Sequence, residues 1–362
     1  MQVCPMPCLP RSRLRSEFAA GRYRHACEDL QQPAMVRTLT LIALILTLLT
    51  IALGAYVRSW DTEPGCSQWP GCFGRSLTRP DGHLQPRFAD DRPVDMAQVR
   101  LDIRTHRYFA GAVGVTVLIL AALVWTLPEN RMRATFWVMA ALCMVVMQTA
   151  LGLWTLEHQL LPLSVTAHLL LGYAILVVIF LSHLAANPDD GGRRLVPAGI
   201  RIRWLARICL IILISQLMLG GWTSTHQAGL SCPDFPTCLG RAWPDVDYAR
   251  AFGLSQGDWL EGDNGRLPEA ARAAIHWVHR VGGILLYVVV TVLALVITGS
   301  NRCQSLRPAG IVMSMLVLAG TGTGIAAVMM RLPTLMVVAH TVLAGLLTLN
   351  VIYVNLRLRG RL

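Results

Sequence analysis

Residues 53–72 read LGAYVRSWDTEPGCSQWPGC, and residues 219–238 read LGGWTSTHQAGLSCPDFPTC. Both stretches begin with Leu-Gly at the end of an apolar run and close with two cysteines six positions apart. Each is followed by a His-Arg pair at the start of another apolar run, and then by one more histidine in a later run. These landmarks are Cys66, Cys72, His106, Arg107 and His168 in the first copy, and Cys232, Cys238, His279, Arg280 and His340 in the second.

The two copies keep nearly the same spacing. The offset is 166 residues from Cys66 to Cys232, 173 from His106 to His279, and 172 from the later histidine of one copy to that of the other. Only the loop between the cysteines and the first histidine has changed length. The sequence therefore predicts a duplicated structure with two histidines in the apolar segments of each half.

The composition is that of a membrane protein. Hydrophobic residues make up 54% of the chain and charged residues 15%, whereas about a quarter of the residues of a soluble domain are charged; the mean hydropathy is +0.49. Eight stretches have the roughly 20 apolar residues that cross a bilayer core, and single spans in lipid must be helical to satisfy their backbone hydrogen bonds. They lie near residues 37–57, 107–127, 134–156, 163–185, 204–223, 274–298, 309–330 and 334–356.

The predicted fold class is an all-α integral membrane protein whose eight transmembrane helices form two pseudo-symmetric four-helix bundles. The halves are expected at residues 36–186 and 204–362, with a linker at 187–203. Residues 1–35 are expected to be a cytoplasmic tail that is either disordered or the product of a start codon placed too early.

The arginines predict the orientation in the membrane. The chain has no lysine, and the arginines of the short connecting segments all fall on one side of an eight-span topology. The positive-inside rule makes that side cytoplasmic and puts both termini there, with the long loops near 58–105 and 225–273 outside. The net charge of +11 is therefore a topology signal and gives little support to nucleic-acid binding.

Each cysteine pair lies in a loop predicted to face the oxidising side of the membrane, where disulfides form. We expect the disulfides Cys66–Cys72 and Cys232–Cys238. A structural zinc site is the competing interpretation, but it usually needs closer cysteines and a second pair of ligands. The sequence leaves open whether each disulfide only braces its loop or takes part in redox chemistry or substrate positioning.

The four repeated histidines are the candidate functional residues. Ionisable side chains are costly within a membrane and usually mark a functional site. Two imidazoles from facing helices can hold a metal or a haem in a bundle core, and no carboxylates accompany them inside the spans to form a di-iron site. The predicted pairs are His106 with His168 and His279 with His340.

Neighbouring residues have weaker assignments. Arg107 and Arg280 either pair with haem propionates or extend to the membrane interface as isolated arginines do. His276 lies on the same helical face as His279 and is expected to be its partner. Histidines without a repeat counterpart are expected to be solvated or interfacial: His25, His83, His158, His183 and His226.

Several sequence blocks resemble the haem A synthase family, in its proteobacterial branch with a cysteine pair in both outer loops. The resemblance runs from about residue 36 to the C-terminus. The blocks are LGAYVR (53–58), the cysteine motif (66–74), HRYFAG (106–111), QTALGLW (148–154), LPLSVTAH (161–168), AIHWVHR (274–280) and VAH (338–340).

This resemblance implies a bacterial inner-membrane enzyme that oxidises the C8 methyl of haem O to the formyl group of haem A, with water as the oxygen source, for cytochrome oxidase assembly. It implies that His106 and His168 face the substrate haem O and that His279 and His340 are axial ligands of a haem b cofactor. Haem O synthase and cytochrome oxidase assembly factors are the implied partners. Arg107 and Arg280 are the expected propionate ligands.

One departure from the family concerns an acidic residue. The family has a functional glutamate three residues before the first histidine, and this chain has Ile103 there. Asp102 is the adjacent acid, and a helix would rotate it by about 100° from that position. It can take the role of the glutamate if the segment is a loop.

Two other classes of protein fit part of the pattern. A dihaem b-type electron-transfer protein would use the same two histidine pairs, but would hold two permanent haems. A transporter or assembly factor with a histidine proton path would purify without haem absorbance. The resemblance favours the synthase over both.

Overall fold

The computed structural model describes residues 22–59, 96–125, 132–157, 162–186, 196, 198–253 and 267–358. Eight long helices dominate these residues, and no β-strand is present among them. They are α1 (Arg22–Arg58), α2 (Met96–Trp125), α3 (Met132–Glu157), α4 (Pro162–Ala185), α5 (Ile200–Thr225), α6 (Glu269–Gly299), α7 (Arg307–Met329) and α8 (Thr334–Arg357). A 3₁₀ helix, Asn301–Leu306, joins α6 to α7, and a four-residue helix, Tyr248–Ala251, lies in the loop before α6.

The predicted number of spans is confirmed, because all eight helices contain a segment long and apolar enough to cross a membrane. The protein is a multi-pass membrane protein. Three helices begin five or more residues before the predicted spans: α1 at Arg22, inside the expected tail, α2 at Met96 and α6 at Glu269.

Proline marks the starts of four helices. Pro162 is the first residue of α4, Pro308 lies in the first turn of α7, and Pro268 and Pro333 immediately precede α6 and α8. The first turn of a helix has backbone N–H groups without an intrahelical acceptor, so proline's missing N–H and its fixed φ are tolerated there.

The helices form two four-helix bundles with the same internal arrangement. In the first half α1 packs against α2 and α4, and α3 packs against the same two helices. In the second half α5 packs against α6 and α8, and α7 does the same. The junction between the halves consists of contacts of α1 with α8 and of α4 with α5 and α8. Two pseudo-symmetric bundles were predicted, and this packing confirms them.

Residues at equivalent positions of the two halves meet at the junction. Tyr173 and Gly345 are equivalent by the 172-residue offset, and a Cβ atom on Gly345 would lie 3.3 Å from Cε1 of Tyr173. Arg58 and Ser224 are equivalent by the 166-residue offset, and the arginine Nε donates to Oγ of the serine at 3.2 Å. Equivalent residues touch where a two-fold axis passes, so a pseudo-two-fold axis relates the halves.

Each half has an apolar core away from its histidines. In the first half this core includes Val36, Val117, Leu120 and Ile179, and in the second half Leu213, Val290, Leu293, Ile297 and Val351. A buried polar contact ties the helix ends there: His183 pairs with the Thr40 hydroxyl at 3.0 Å, and Asn355, which is equivalent to His183, donates to the Ala206 carbonyl at 3.0 Å. His183, expected to be solvated or interfacial, is thus half-buried with a defined partner.

Candidate functional site

The four repeated histidines lie on the second and fourth helix of each half. His106 is on α2, His168 on α4, His279 on α6 and His340 on α8. In each bundle these two helices are diagonal, because each packs on the other two helices of the ring. Side chains from diagonal helices can approach each other across the bundle centre, as a shared ligand requires.

The rings of His279 and His340 face each other in the second half. Their centroids are 6.4 Å apart and their planes cross at 80°. An ion that bonds one nitrogen of each ring at about 2 Å, the length of a zinc–imidazole bond, separates the ring centres by about 6 Å. The spacing of the two rings therefore fits one metal ion held between them.

The number of protein ligands distinguishes among metal sites. Within the described residues no group of three or more histidine, cysteine or carboxylate side chains converges. A structural zinc site needs four protein ligands, whereas a haem iron takes four nitrogens from the porphyrin and needs only the axial ligands from the protein. The pair of imidazoles thus fits haem. In the first half His106 and His168 occupy the equivalent positions on the diagonal helices α2 and α4.

Each histidine ring lies against a glycine of the preceding helix. A Cβ atom on any of these glycines would be 3.0–3.3 Å from the ring Cε1, which is closer than an ordinary van der Waals contact. The absence of a side chain therefore lets the imidazole approach the helix backbone. The pairs are Gly54 with His106, Gly152 with His168, Gly220 with His279 and Gly324 with His340.

Two of the rings bond to a backbone carbonyl one helical turn before that glycine. Nδ1 of His106 is 3.1 Å from the Thr50 carbonyl oxygen, and Nδ1 of His340 is 2.8 Å from that of Gly320. A carbonyl only accepts hydrogen bonds, so the ring proton is on Nδ1 and the lone pair on Nε2 is available to a metal. These contacts fix both the tautomer and the ring orientation.

In the contacts of His279 and His168 the residue one helical turn before the glycine is a glutamine. The amide nitrogen of Gln216 is 2.9 Å from Nδ1 of His279 and donates to the His279 carbonyl oxygen at 2.7 Å. An amide nitrogen only donates, so in this arrangement Nδ1 accepts and the ring proton is on Nε2. Turning the amide over brings its oxygen to Nδ1 and leaves Nε2 available to a metal. The amide nitrogen of Gln148 donates to the His168 carbonyl oxygen at 3.0 Å. Nδ1 of His168 is buried, and among the described residues it has no hydrogen-bond partner.

The loop between α5 and α6 is attached to α6 next to the histidine pair. Cys232 and Cys238 form the predicted disulfide, and both are fully buried. Arg280 donates to the backbone carbonyls of Asp234, Thr237 and Cys232. Its Nε lies 3.2 Å from Nε2 of His276, and the Cys232 backbone nitrogen lies 3.2 Å from Nδ1 of the same ring. A neutral imidazole accepts at one nitrogen only, so one of these two contacts is a hydrogen bond to the ring.

Asp234 stabilises this loop through hydrogen bonds to other residues of the loop. Its carboxylate accepts hydrogen bonds from the Thr237 hydroxyl and from the backbone N–H groups of Leu239 and Gly240. The hydrogen bond from Thr237 and these N–H groups lower the pKa of Asp234 to about 2. The carboxylate is therefore charged throughout the physiological range.

His226 differs from its expected surroundings. It caps the end of α5, is only 7% exposed and packs edge-on against Trp222 with ring centroids 4.4 Å apart. Burial and the nearby Arg58 lower its pKa to about 4, so it is neutral at pH 7. It was expected to be solvated or interfacial because it lacks a repeat counterpart; it lies at the helix end but is buried against Trp222.

The other predicted residues lie either on α2 or outside the described part of the chain. Asp102 lies inside α2, four residues before His106, so both are on the same helical face; the segment is a helix rather than a loop. Arg107 follows on the same helix and is half-buried. The first cysteine pair and the side chains of three histidines lie outside the described residues: Cys66, Cys72, His25, His83 and His158.

Comparison with known proteins identifies a family and several related proteins. Residues 37–352 match the family model COX15-CtaA, described as cytochrome oxidase assembly protein. The haem A synthase of Shewanella oneidensis is 33% identical over 321 residues, which cover 87% of this chain and 94% of that protein. The haem A synthases of Methylobacterium radiotolerans (29% identical, 89% of each chain) and Halalkalibacterium halodurans (24% identical, 88% of this chain and 94% of that one) are also similar.

Proposed function

Because the chain belongs to the COX15-CtaA family of cytochrome oxidase assembly proteins, we propose that it is a haem A synthase, an oxidoreductase that converts the C8 methyl of haem O to a formyl group. Similarity to proteins of that name extends over most of the chain. The observation that carries the proposal is the pair of facing imidazoles, 6.4 Å apart, in one half of a duplicated bundle. The comparisons lend no support to the alternative, a dihaem electron-transfer protein.

The two halves have different tasks in this proposal. His279 and His340 would hold haem b, and His106 and His168 would hold the iron of the substrate haem O. A bound haem supplies one-electron redox chemistry, which the protein adjusts through the axial ligands and their hydrogen bonds. The carbonyls behind His106 and His340 keep those rings in the tautomer that binds a metal.

Asp102 is the proposed proton acceptor in the first half. Oxidation of a methyl group with oxygen from water releases protons, so a base is needed near the substrate. Asp102 is one helical turn from His106 and on the same face. The segment is helical, so Asp102 stands about 100° around α2 from the position of the family's glutamate, and its proposed role rests on sharing a helical face with His106 and not on equivalence with that glutamate.

The arginines that follow the first histidines are proposed to bind haem propionates. Arg280 bonds to three loop carbonyls and contacts His276, but a guanidinium has five N–H groups. One N–H of Nη2 is thus left by these four contacts for an acidic group of the ligand. Arg107 occupies the equivalent position in the first half and has the same proposed role.

The proposed location is the bacterial inner membrane, with both termini in the cytoplasm and the cysteine loops in the periplasm. Arginines in the short connections support this orientation, and the disulfide Cys232–Cys238 supports an oxidising environment for its loop. Haem O synthase is the proposed supplier of substrate, and cytochrome oxidase assembly factors are the proposed recipients of haem A.

The activity is tested by extracting haems from membranes with and without the gene and separating them by chromatography. We expect the deletion strain to accumulate haem O and to lack haem A, and a plasmid copy of the gene to restore haem A. A deletion strain with unchanged haem A would overturn the proposal, and it is the result that a dihaem electron-transfer protein would give.

A further inference from the structure

The four imidazoles of the two sites are not held equally. Three of them have a partner at Nδ1: the Thr50 carbonyl for His106, the Gly320 carbonyl for His340 and the Gln216 amide for His279. His168 is the exception. Its Nδ1 is buried and has no hydrogen-bond partner in the described part of the chain.

The two halves differ in the residue that stands behind the first histidine of each pair. The 166-residue offset equates Thr50 with Gln216, and the space for the longer Gln216 side chain comes from Gly282, where a Cβ atom would overlap the amide oxygen. The first half has Phe109 at the position of Gly282. There the short Thr50 leaves its own carbonyl open to His106.

In the contact of α3 with α4 the glutamine belongs to the first half, whereas the equivalent contact of α7 with α8 has a glycine. Gln148 corresponds to Gly320 by the 172-residue offset. In the second half the Gly320 carbonyl accepts from the ring of His340 at 2.8 Å. In the first half Gln148 donates to the backbone of His168 at 3.0 Å instead, so the helix contact is kept but the ring is not anchored.

Anchoring affects how tightly an imidazole holds a metal. A hydrogen bond donated from the second ring nitrogen fixes the orientation of the ring and raises its basicity, and its loss typically costs 10–100-fold in metal affinity. A contact with an amide nitrogen, as Gln216 makes with His279, fixes the orientation of the ring without raising its basicity. In the second half both rings have a partner at Nδ1, a carbonyl oxygen for His340 and the Gln216 amide nitrogen for His279. In the first half His106 has such a partner, whereas the His168 ring is held only by packing against Gly152. A substrate must leave after each reaction, and a resident cofactor must not.

We propose that His168 is the axial ligand that releases the iron of the substrate haem, while His106 keeps it bound. The proposal rests on the proposed function, because it takes the first half as the substrate site. It makes His168 the point at which haem O enters and haem A leaves, and it assigns Gln216 a positioning role for His279.

The first test compares His168→Ala with His106→Ala in full-length protein purified from membranes. Haem O and haem A are counted together, since both belong to the first half, and haem b in the same sample reports an intact second half. We expect His168→Ala to retain the first-half haem and His106→Ala to lose it roughly 10–100 times faster. Equal loss from both variants would overturn the proposal.

The second test uses carbon monoxide, which binds a reduced haem iron only where an axial ligand has left. In the unaltered protein we expect the first-half haem to bind carbon monoxide and haem b to remain unreactive. This measurement uses the unaltered protein, so it tests ligand release even if the alanine variants fail to fold. A first-half haem as unreactive as haem b would contradict the proposal.

Gln216→Leu and Gln148→Leu are a matched pair for the same assay. Gln216→Leu removes the ring partner of His279, so haem b should become reactive toward carbon monoxide. Gln148→Leu removes only a backbone contact of His168, so the reactivity of both haems should stay as in the unaltered protein. Haem b that stays unreactive in Gln216→Leu would show that ring anchoring does not control ligand release.

These outcomes are separable from failure of the proposed function. If the unaltered protein contains haem b but never haem O or haem A, the substrate assignment fails and the question about His168 disappears with it. If haem O and haem A are present and His106 and His168 behave alike, the synthase assignment stands and only the inequality of the ligands is wrong.

Discussion

Single glycines set how closely the histidines approach the neighbouring helices. Gly324 is the one to test, because the same helix offers a control glycine. A methyl group there would lie 3.0 Å from Cε1 and 3.2 Å from Nδ1 of His340. We expect Gly324→Ala to tilt the ring, weaken its bond to the Gly320 carbonyl and lower the haem b content of purified protein by about tenfold or more.

Gly322→Ala is the control for that change. It lies on the same helix, two residues away, and a Cβ atom there would meet nothing within 4 Å. Alanine is favoured over glycine in a helix by up to about 1 kcal/mol, so this variant should keep its haem b and unfold at the same or a slightly higher temperature. Similar haem loss in both variants would show that helix α7, not the ring contact, is the sensitive feature.

The Asp234 carboxylate makes the stability of the loop between α5 and α6 depend on pH. The pKa of Asp234 is lowered from 3.8 to about 2, first by the hydrogen bond from Thr237. The carboxylate therefore stabilises the folded loop fully above about pH 4, and this contribution is lost as the pH falls toward 2. We expect Asp234→Asn to make the loop more sensitive to protease at pH 6, with the difference from the unaltered protein vanishing near pH 2.

Asp245→Asn changes another acid of the same loop and serves as the comparison. It should leave the protease sensitivity unchanged at both pH values, because the bonds that hold the Cys232–Cys238 segment converge on Asp234. A constant difference between Asp234→Asn and the unaltered protein down to pH 2 would rule out ionisation as the cause.

The residues of the site differ in how well sequence could predict them. The four histidines could be identified because an ionisable side chain stands out in an apolar span, and the duplication repeats it. Gln216 and Gln148 could not be separated in role, since both lie four residues before a glycine. The difference depends on which atom of the facing histidine each amide reaches, and that follows from the packing of Gln216 against Gly282 and of Gln148 against Gly172.

At the scale of helices, the α4–α8 contact limits what residue 345 can be. A Cβ atom on Gly345 would be 3.3 Å from Tyr173, 3.4 Å from Leu48 and 3.5 Å from Leu176. Gly345→Val adds two more methyl groups to this contact and should destabilise the protein by about 1–3 kcal/mol through overpacking. Thermal unfolding in detergent measures the effect.

Gly299→Ala is a suitable comparison for Gly345→Val, because a Cβ atom at the end of α6 meets nothing within 4 Å. The double change of Gly345→Val with Tyr173→Leu should recover part of the lost stability, since it removes the ring that the valine displaces. No recovery would place the strain on Leu48 and Leu176 instead.

The helices themselves could be predicted well and their ends less well. Hydropathy and length identify a span because the bilayer sets both, and this was enough for all eight. It does not show that α6 begins at Glu269 or that α1 begins at Arg22, because residues outside the lipid carry no apolar signal. The disulfide loop could be placed outside the membrane, but the role of Arg280 in holding it depends on three backbone carbonyls whose positions no sequence pattern specifies.

At the scale of the whole molecule, duplication produces two sites that share a junction but no ligand. The junction is made by α1, α4, α5 and α8, and its described polar contacts, such as the bond from the Tyr173 hydroxyl to the Thr341 carbonyl at 2.9 Å, do not include the nitrogens of the four rings. The halves should therefore bind their haems independently, although both are needed for the reaction.

His340→Ala tests this independence. Loss of one of two anchored ligands should remove haem b, and without its redox chemistry haem O should remain unconverted in the first half. The variant is thus expected to purify with haem O, without haem b and without haem A, as shown by chromatography of extracted haems. His183→Ala removes a histidine from the opposite end of the bundle and should keep haem b and the conversion to haem A. If His340→Ala lost both haems while His183→Ala kept them, the two bundles would have to be treated as one binding unit, with the second half supporting the first through α8.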